Sequence, residues 1–148
     1  MPTRSEPRVI LLAEDDADDR MLVTRVLEKE LMVRDVRAVW NGEELMDYLK
    51  QRGKFADQDS APRPALILLD LNMPRKDGRE ALQEIKADPD LRQIPVVVLT
   101  TSNSDVDVMQ SYDAGVNAYI TKPARFADMV DAFRLLYKFW FEVVKLPG

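Results

Sequence analysis

Apolar residues along this chain fall in short blocks separated by longer stretches of mixed polarity. The blocks are VILLA (9–13), VRAVW (36–40), ALILL (65–69), PVVVL (95–99) and NAYI (117–120). VILLA, ALILL and PVVVL are solidly apolar, as expected of strands buried on both faces of a parallel sheet. The stretches between the blocks carry helical periodicity. The first, about Asp18 to Leu31, spaces Met21, Leu22, Arg25, Val26 and Lys29 helically. The second, about Gly42 to Lys50, has Asn41 as its N-cap and Leu45, Met46 and Leu49 as its apolar stripe. The third, about Gly78 to Ala87, uses Ala81, Leu82 and Ile85 and stops before Asp88-Pro89. The fourth, about Ser104 to Ala114, ends at Gly115, a residue suited to a helix C-terminus. The last, about Phe126 to Lys145, is long.

Strand and helix therefore alternate five times. The fold class this predicts is α/β, a doubly wound five-stranded parallel sheet, (βα)5, with helices on both faces. RGKFADQDSAPRP (52–64) is the least regular connection and reads as an exposed loop. We expect a flexible N-terminus over residues 1–7 and a single domain over 8–146 ending in an extended helix, with no appended output domain.

Composition narrows the chemistry. The chain has 148 residues, which suits one domain able to bury roughly two thirds of its unfolded surface. It has no Cys, which removes disulfide frameworks and thiolate metal sites and fits a reducing, cytoplasmic setting. It has no His, so the usual general base, zinc ligand and phospho-carrier are all missing. The net charge is −5 with no basic run, a poor match to nucleic acid. No apolar run reaches the ~18 residues of a membrane span, and MPTRSEPR lacks a signal peptide's apolar stretch.

The candidate chemistry sits where the apolar blocks stop. In an open parallel sheet, ligands bind beyond the carboxyl ends of the strands. VILLA runs into EDDADD, in which five of six side chains are carboxylates. ALILL is followed by Asp70, PVVVL by Thr100 and Thr101, and NAYIT by Lys122 and Pro123. Asp16, Asp18 and Asp19 fall at a helix N-terminus, where the dipole favours acids without any further role. Glu14 and Asp15 lie at the strand tip. Carboxylates gathered there with Asp70 repel one another by several kcal/mol in a partly dry cleft, at about 4 Å spacing, unless a cation neutralises them. Without His or Cys, a hard divalent ion with oxygen ligands is the fitting partner, and open water positions favour Mg2+. Taken singly, Asp70 and Thr100 would be caps and Lys122 a surface lysine. The chain also turns at Pro74 and at Gly78, as if shaping a loop around the Asp70 carboxylate.

This ordered set resembles the receiver domain of two-component response regulators, the CheY-like, flavodoxin-like fold. The resemblance covers about residues 7 to 140. It rests on Glu14-Asp15, on Asp70 with Met73-Pro74 and Gly78, on Thr100, and on Tyr119 with Lys122-Pro123. It implies that Asp70 is the phosphoacceptor, that Asp15 and Asp70 bind Mg2+ directly, that Glu14 holds it through water, and that Asn72 lends its backbone carbonyl. Lys122 would pair with phosphoryl oxygens, Thr100 would hydrogen-bond one of them, and Tyr119 would be an aromatic switch moving inward with Thr100. The Lys122–Pro123 bond would be cis. The phosphoryl donor would be a histidine kinase, and the receiver would act as a switch that promotes its own phosphorylation and dephosphorylation rather than as an enzyme of small-molecule turnover. Asn72 and Ser102 flank the site where receivers tune dephosphorylation. The loop 52–64, the LTTS at 99–102 and the ending FWFEVVKLP are similar to the small regulators that partner bacterial phytochrome-type kinases, which implies a light-responsive partner.

The C-terminal helix carries a second signal. From Phe133 to Val144, nine of twelve residues are apolar or aromatic, and the exceptions Arg134, Lys138 and Glu142 form one stripe. A helix packed on one side of a sheet needs only one apolar face. The surplus, including Phe133, Leu136, Tyr137, Phe139, Trp140 and Val143, points to a homodimer through this helix. The alternative is a helix sunk deeper into its own core. Two other functions compete. A haloacid dehalogenase-type phosphohydrolase uses similar parts, but opens with a DxD nucleophile and places its acidic pair late. A non-phosphorylated adaptor would keep only the fold, yet such chains usually lose an acid or the lysine.

Overall fold

The computed structural model describes residues 8–140. Five parallel strands form one sheet: β1 (Val9–Ala13), β2 (Asp35–Val39), β3 (Leu66–Leu69), β4 (Val96–Thr100) and β5 (Ala118–Thr121), in the order β2-β1-β3-β4-β5. The five main helices are α1 (Ala17–Arg25), α2 (Gly42–Leu49), α3 (Gly78–Ala87), α4 (Asp105–Ala114) and α5 (Phe126–Lys138). The expected doubly wound (βα)5 architecture is therefore what the chain adopts.

Alternation along each strand divides the core in two. Ile10 and Leu12 of β1, Leu66 and Leu68 of β3, and Val97 and Leu99 of β4 face Val23, Val26, Leu27, Met129, Val130 and Phe133. Leu11 and Ala13, Ile67 and Leu69, and Val96 and Val98 face Leu45, Met46, Ala81, Leu82 and Ile85. So α1 and α5 cover one face and α2 and α3 the other. Residue-by-residue pairing of β1 with β3 sets Ala13 beside Leu69, which brings the ends of these two strands level.

Side chains start most of the helices. Asp16 accepts from the Asp19 amide at 2.9 Å, and Asn41 accepts from the Glu44 amide at 2.7 Å. Asp77 caps α3 through the Arg79 amide at 2.7 Å. Gly115 ends α4 with φ of +105°, the left-handed conformation that glycine adopts without strain.

Two expectations change. The first helix does not run unbroken to Leu31: after Arg25 it widens into a π turn over Val26–Glu30, in which the Leu31 amide bonds to the Val26 carbonyl at 3.1 Å. The stretch 52–64 is largely exposed, as expected, and adds two short 3-10 turns and an anchor, with Tyr48 Oη donating to the Pro62 carbonyl and Ala61 buried. Phe133 is 1% exposed and fills this chain's own core, so it offers no surface for a dimer. Its neighbours Leu136, Tyr137 and Trp140 also lean on that core while staying partly accessible. Val143 and the segment 1–7 lie outside the described residues.

Candidate functional site

The site grows out of the strand order. Sequence neighbours run outward in opposite directions from β1 and β3, so a crevice opens between the loops that leave them. Glu14 follows β1, and its amide bonds to the Val39 carbonyl at 3.0 Å. Asp70 follows β3, and its amide bonds to the Ala13 carbonyl at 3.0 Å. Lys122 follows β5, with its amide on the Thr100 carbonyl at 2.8 Å. Sheet hydrogen bonds thus position the backbones of Glu14, Asp70 and Lys122.

Glu14 is 1% exposed and Asp70 6% exposed, while Asp15 is open to solvent. One carboxylate oxygen from each of Glu14, Asp15 and Asp70 falls within 4.8 Å of the others. Lys122 Nζ stands 2.5 Å from Glu14 Oε1, 2.8 Å from Asp19 Oδ2 and 3.4 Å from Asp70 Oδ2. The contact with Glu14 Oε1 is an ion pair without hydrogen-bond geometry. That oxygen is buried and has no hydrogen bond. Burial, with Asp70 adding to it and the Lys122 ammonium opposing it, pushes the Glu14 carboxyl up to about 7. Burial works against the charge on Lys122, but the hydrogen bond to Asp19 and the nearby carboxylates of Glu14 and Asp70 outweigh it and raise its pKa.

Four carboxylates therefore face one ammonium. The set lacks positive charge, and one buried carboxylate oxygen accepts no hydrogen bond. Both facts fit a hard divalent cation held by Glu14, Asp15 and Asp70.

The surrounding loops are tightly built. A Cβ on Gly78 would stand 2.3 Å from the Asp70 carbonyl oxygen, so only glycine lets α3 start this close to the acid. The Asn72 amide donates to Asp70 Oδ1 at 3.2 Å. Thr100 is fully buried, and its Oγ1 accepts from the Ser102 amide at 3.4 Å. Tyr119 is half-buried, and its hydroxyl donates to the Ser102 carbonyl at 2.8 Å. The residues expected at the site from sequence are thus brought together at one edge. The exception is the geometry at Pro123: no cis peptide occurs among the described residues, so the Lys122–Pro123 bond is trans, the form that X–Pro bonds favour by about 0.5–1 kcal/mol.

Two contributors escaped the sequence reading. Asp19 reads as a helix-end acid, yet it reaches Lys122 from the first turn of α1. Arg20 passes beneath the acidic loop: its Nη1 donates to the Glu14 carbonyl at 3.0 Å and the Asp15 carbonyl at 3.3 Å, and its guanidinium lies 4.9 Å from the ring centre of Trp40. No spacing rule marks either, because each contact crosses between elements.

The sequence model of the response regulator receiver domain family matches residues 10–134. The chain belongs to this family. Response regulator Rcp1 of Synechocystis sp. is 46% identical over 142 residues, spanning 96% of this chain and 95% of the relative. Among solved structures, the phosphorylated cyanobacterial phytochrome response regulator RcpA superposes with a TM-score of 0.89 at 44% identity, covering 97% of this chain and 100% of that one. The Mn2+-bound form of Rcp1 superposes with a TM-score of 0.86 at 46% identity, covering 96% and 100%. Membership in the receiver family decides against the phosphohydrolase reading. Among the described residues, no helix of this receiver is long and apolar enough to cross a membrane.

Proposed function

We propose that this receiver accepts a phosphoryl group on Asp70 from a phosphohistidine of a sensor kinase, with Mg2+ as the cation, and switches protein contacts in phytochrome-type light signalling. The observation that carries this reading is the placement of Asp70: a nearly buried carboxylate between an acidic pair and a lysine, at the crevice where the strand order reverses. The likeness to a phosphorylated phytochrome regulator and to a Mn2+-bound relative supports the same reading. The chain itself has no His to serve as donor.

An oxygen of Asp70 bonds to phosphorus as the bond from phosphorus to the histidine nitrogen breaks, and the imidazole leaves with that electron pair. The fold holds Asp70 for this attack through the Ala13 carbonyl behind it and Gly78 beside it. Bound Mg2+ supplies positive charge to the phosphoryl oxygens, and Glu14, Asp15, Asp70 and the Asn72 carbonyl would hold it. Lys122 exchanges its carboxylate partners for a phosphoryl oxygen. The Thr100 hydroxyl donates to another oxygen of the group. Tyr119, tied to Ser102, registers the shift of the Thr100 loop.

The surplus apolar surface of α5 supports a homodimer as the output form. Leu135 is 71% exposed and Phe139 51% exposed, beside the partly accessible Leu136, Tyr137 and Trp140. The deciding experiment for the chemistry is intact mass after incubation with Mg2+ and a small phosphodonor. One phosphoryl adduct that requires Mg2+ and disappears in Asp70→Asn is the expected result. A wild type that gains no mass from the small donor or from a phosphorylated sensor kinase would support the adaptor reading instead.

A further inference from the structure

Arg79, one residue inside α3, lies outside the catalytic cluster yet ties together both loops that border it. Its Nε and Nη2 donate to the two oxygens of Asp107 on α4 at 2.8 and 2.7 Å, a bidentate fork. Its Nη1 donates to Asp77 at 3.1–3.2 Å and, more weakly, to Asn72 Oδ1 at 3.4 Å. Asp107 in turn accepts the Ser102 hydroxyl at 2.6 Å, while Ser102 Oγ accepts from the Ser104 amide at 3.4 Å. Ser102 is the residue whose amide meets Thr100 and whose carbonyl meets Tyr119. Through Asp107, one guanidinium therefore links the Asp70 loop to the Thr100 loop.

We propose that Arg79 is a positioning residue for the phosphoryl site: by gripping Asp107 it engages the Ser102 hydroxyl with α4 and so slows loss of the phosphoryl group from Asp70. This rests on the phosphoacceptor reading of Asp70. In hydrolysis, a water oxygen bonds to phosphorus, the bond from phosphorus to the Asp70 oxygen breaks with its electrons returning to the carboxylate, and the proton lost by the water passes to solvent as inorganic phosphate leaves. A serine hydroxyl has one proton and two lone pairs with which to orient such a water. Here the proton is given to Asp107 and one lone pair is used by the Ser104 amide. Freed from Asp107, the same hydroxyl becomes available to a water entering beside Thr100.

The short bonds decide which part of the network matters. The fork to Asp107 and the Ser102 bond, all at 2.8 Å or less, carry the restraint. The Asn72 contact at 3.4 Å is peripheral. Arg79 keeps its positive charge at any accessible pH, since the fork to Asp107 holds its pKa above the ordinary range.

The test is the decay of the adduct, followed by quenched intact mass, in Arg79→Gln, Asp107→Ala and Ser102→Ala and in the two doubles with Ser102→Ala. Thermal melting of each variant accompanies it. Arg79→Gln and Asp107→Ala should each shorten the lifetime about threefold or more. Neither should do so in the Ser102→Ala background, a dependence that general loosening of the fold would not produce. Should Arg79→Gln fail to fold, Asp107→Ala breaks the same pair from α4. Equal lifetimes in wild type and the single variants would overturn the proposal, as would the same acceleration without the Ser102 hydroxyl. A wild type with no adduct from any donor would defeat the phosphoacceptor reading itself, which is a different result from an adduct that decays at one rate throughout.

Discussion

Asp70 is held among like charges before any cation or phosphoryl group arrives. Glu14 shares its buried pocket, and Lys122 divides its single charge among Glu14, Asp19 and Asp70. Removing one negative charge should therefore relieve the metal-free protein. We expect Asp70→Asn to raise the urea midpoint without Mg2+, by about 1 kcal/mol in stability, and to lose most of that advantage when Mg2+ is added. A midpoint below wild type in metal-free buffer would show that Asp70 is worth more as a partner of Lys122 than it costs as a neighbour of Glu14. A second residue-scale prediction concerns Asp107. Its hydrogen bonds to Arg79 and Ser102 hold the carboxyl at about 2, against 3.8 ordinarily. A depressed carboxyl contributes stability above the unfolded pKa and loses it as pH falls through the folded one. The contribution of Asp107 should thus be complete above about pH 4 and fade toward pH 2. Urea titrations of wild type and Asp107→Asn should converge across that window. A constant gap between them would mean that Asp107 acts through packing instead.

At the scale of elements, closeness of backbones is what sets the site. α3 begins against the Asp70 carbonyl because Gly78 carries no side chain, and a methyl there would meet backbone atoms at 2.3 and 2.7 Å. Gly78→Ala should cost about 2 kcal/mol, the scale of overpacking, measurable by urea unfolding. Because the clash falls on Asp70 and Leu71, the adduct yield should drop with it. A variant that phosphorylates normally would show that the loop yields without disturbing Asp70. The elements also differ in how clearly the sequence announces them. β1, β3 and β4 are buried on both faces and read as unbroken apolar runs. β2 and β5 lie at the sheet edges, and apart from the buried Val39 their residues are partly covered or exposed. Their apolar blocks are correspondingly shorter or mixed. The π turn after α1 is not announced by the sequence, because one turn with i→i+5 bonding is too short to shift an apolar pattern visibly.

For the whole molecule, α5 separates two roles that the sequence runs together. Phe133 is interior, whereas Leu135 and Phe139 face out. Phe133→Ala should cost about 3–5 kcal/mol in a core this closely packed. Leu135→Glu should leave the melting temperature of the monomer nearly unchanged and shift sedimentation toward the monomer. If Leu135→Glu left the mass of the species in solution unaltered, α5 would not be the contact between copies. The two variants read the helix from opposite sides, one through stability and one through assembly.

By itself the sequence determined the fold class, the strand-end placement of Glu14, Asp15, Asp70, Thr100 and Lys122, and the exclusion of His and Cys chemistry. It could do so because burial on both faces dictates apolar runs, and because in this fold the residue following a buried strand lies at the functional edge. What only the tertiary structure decided are the contacts between distant elements. Asp19 reaches Lys122 across 103 positions, Arg79 reaches Asp107 across 28, and Tyr119 reaches Ser102 across 17. A helix-end acid, a surface arginine and a loop serine look alike in any sequence. Their roles depend on which helix faces which loop, and that is set by the winding of the sheet.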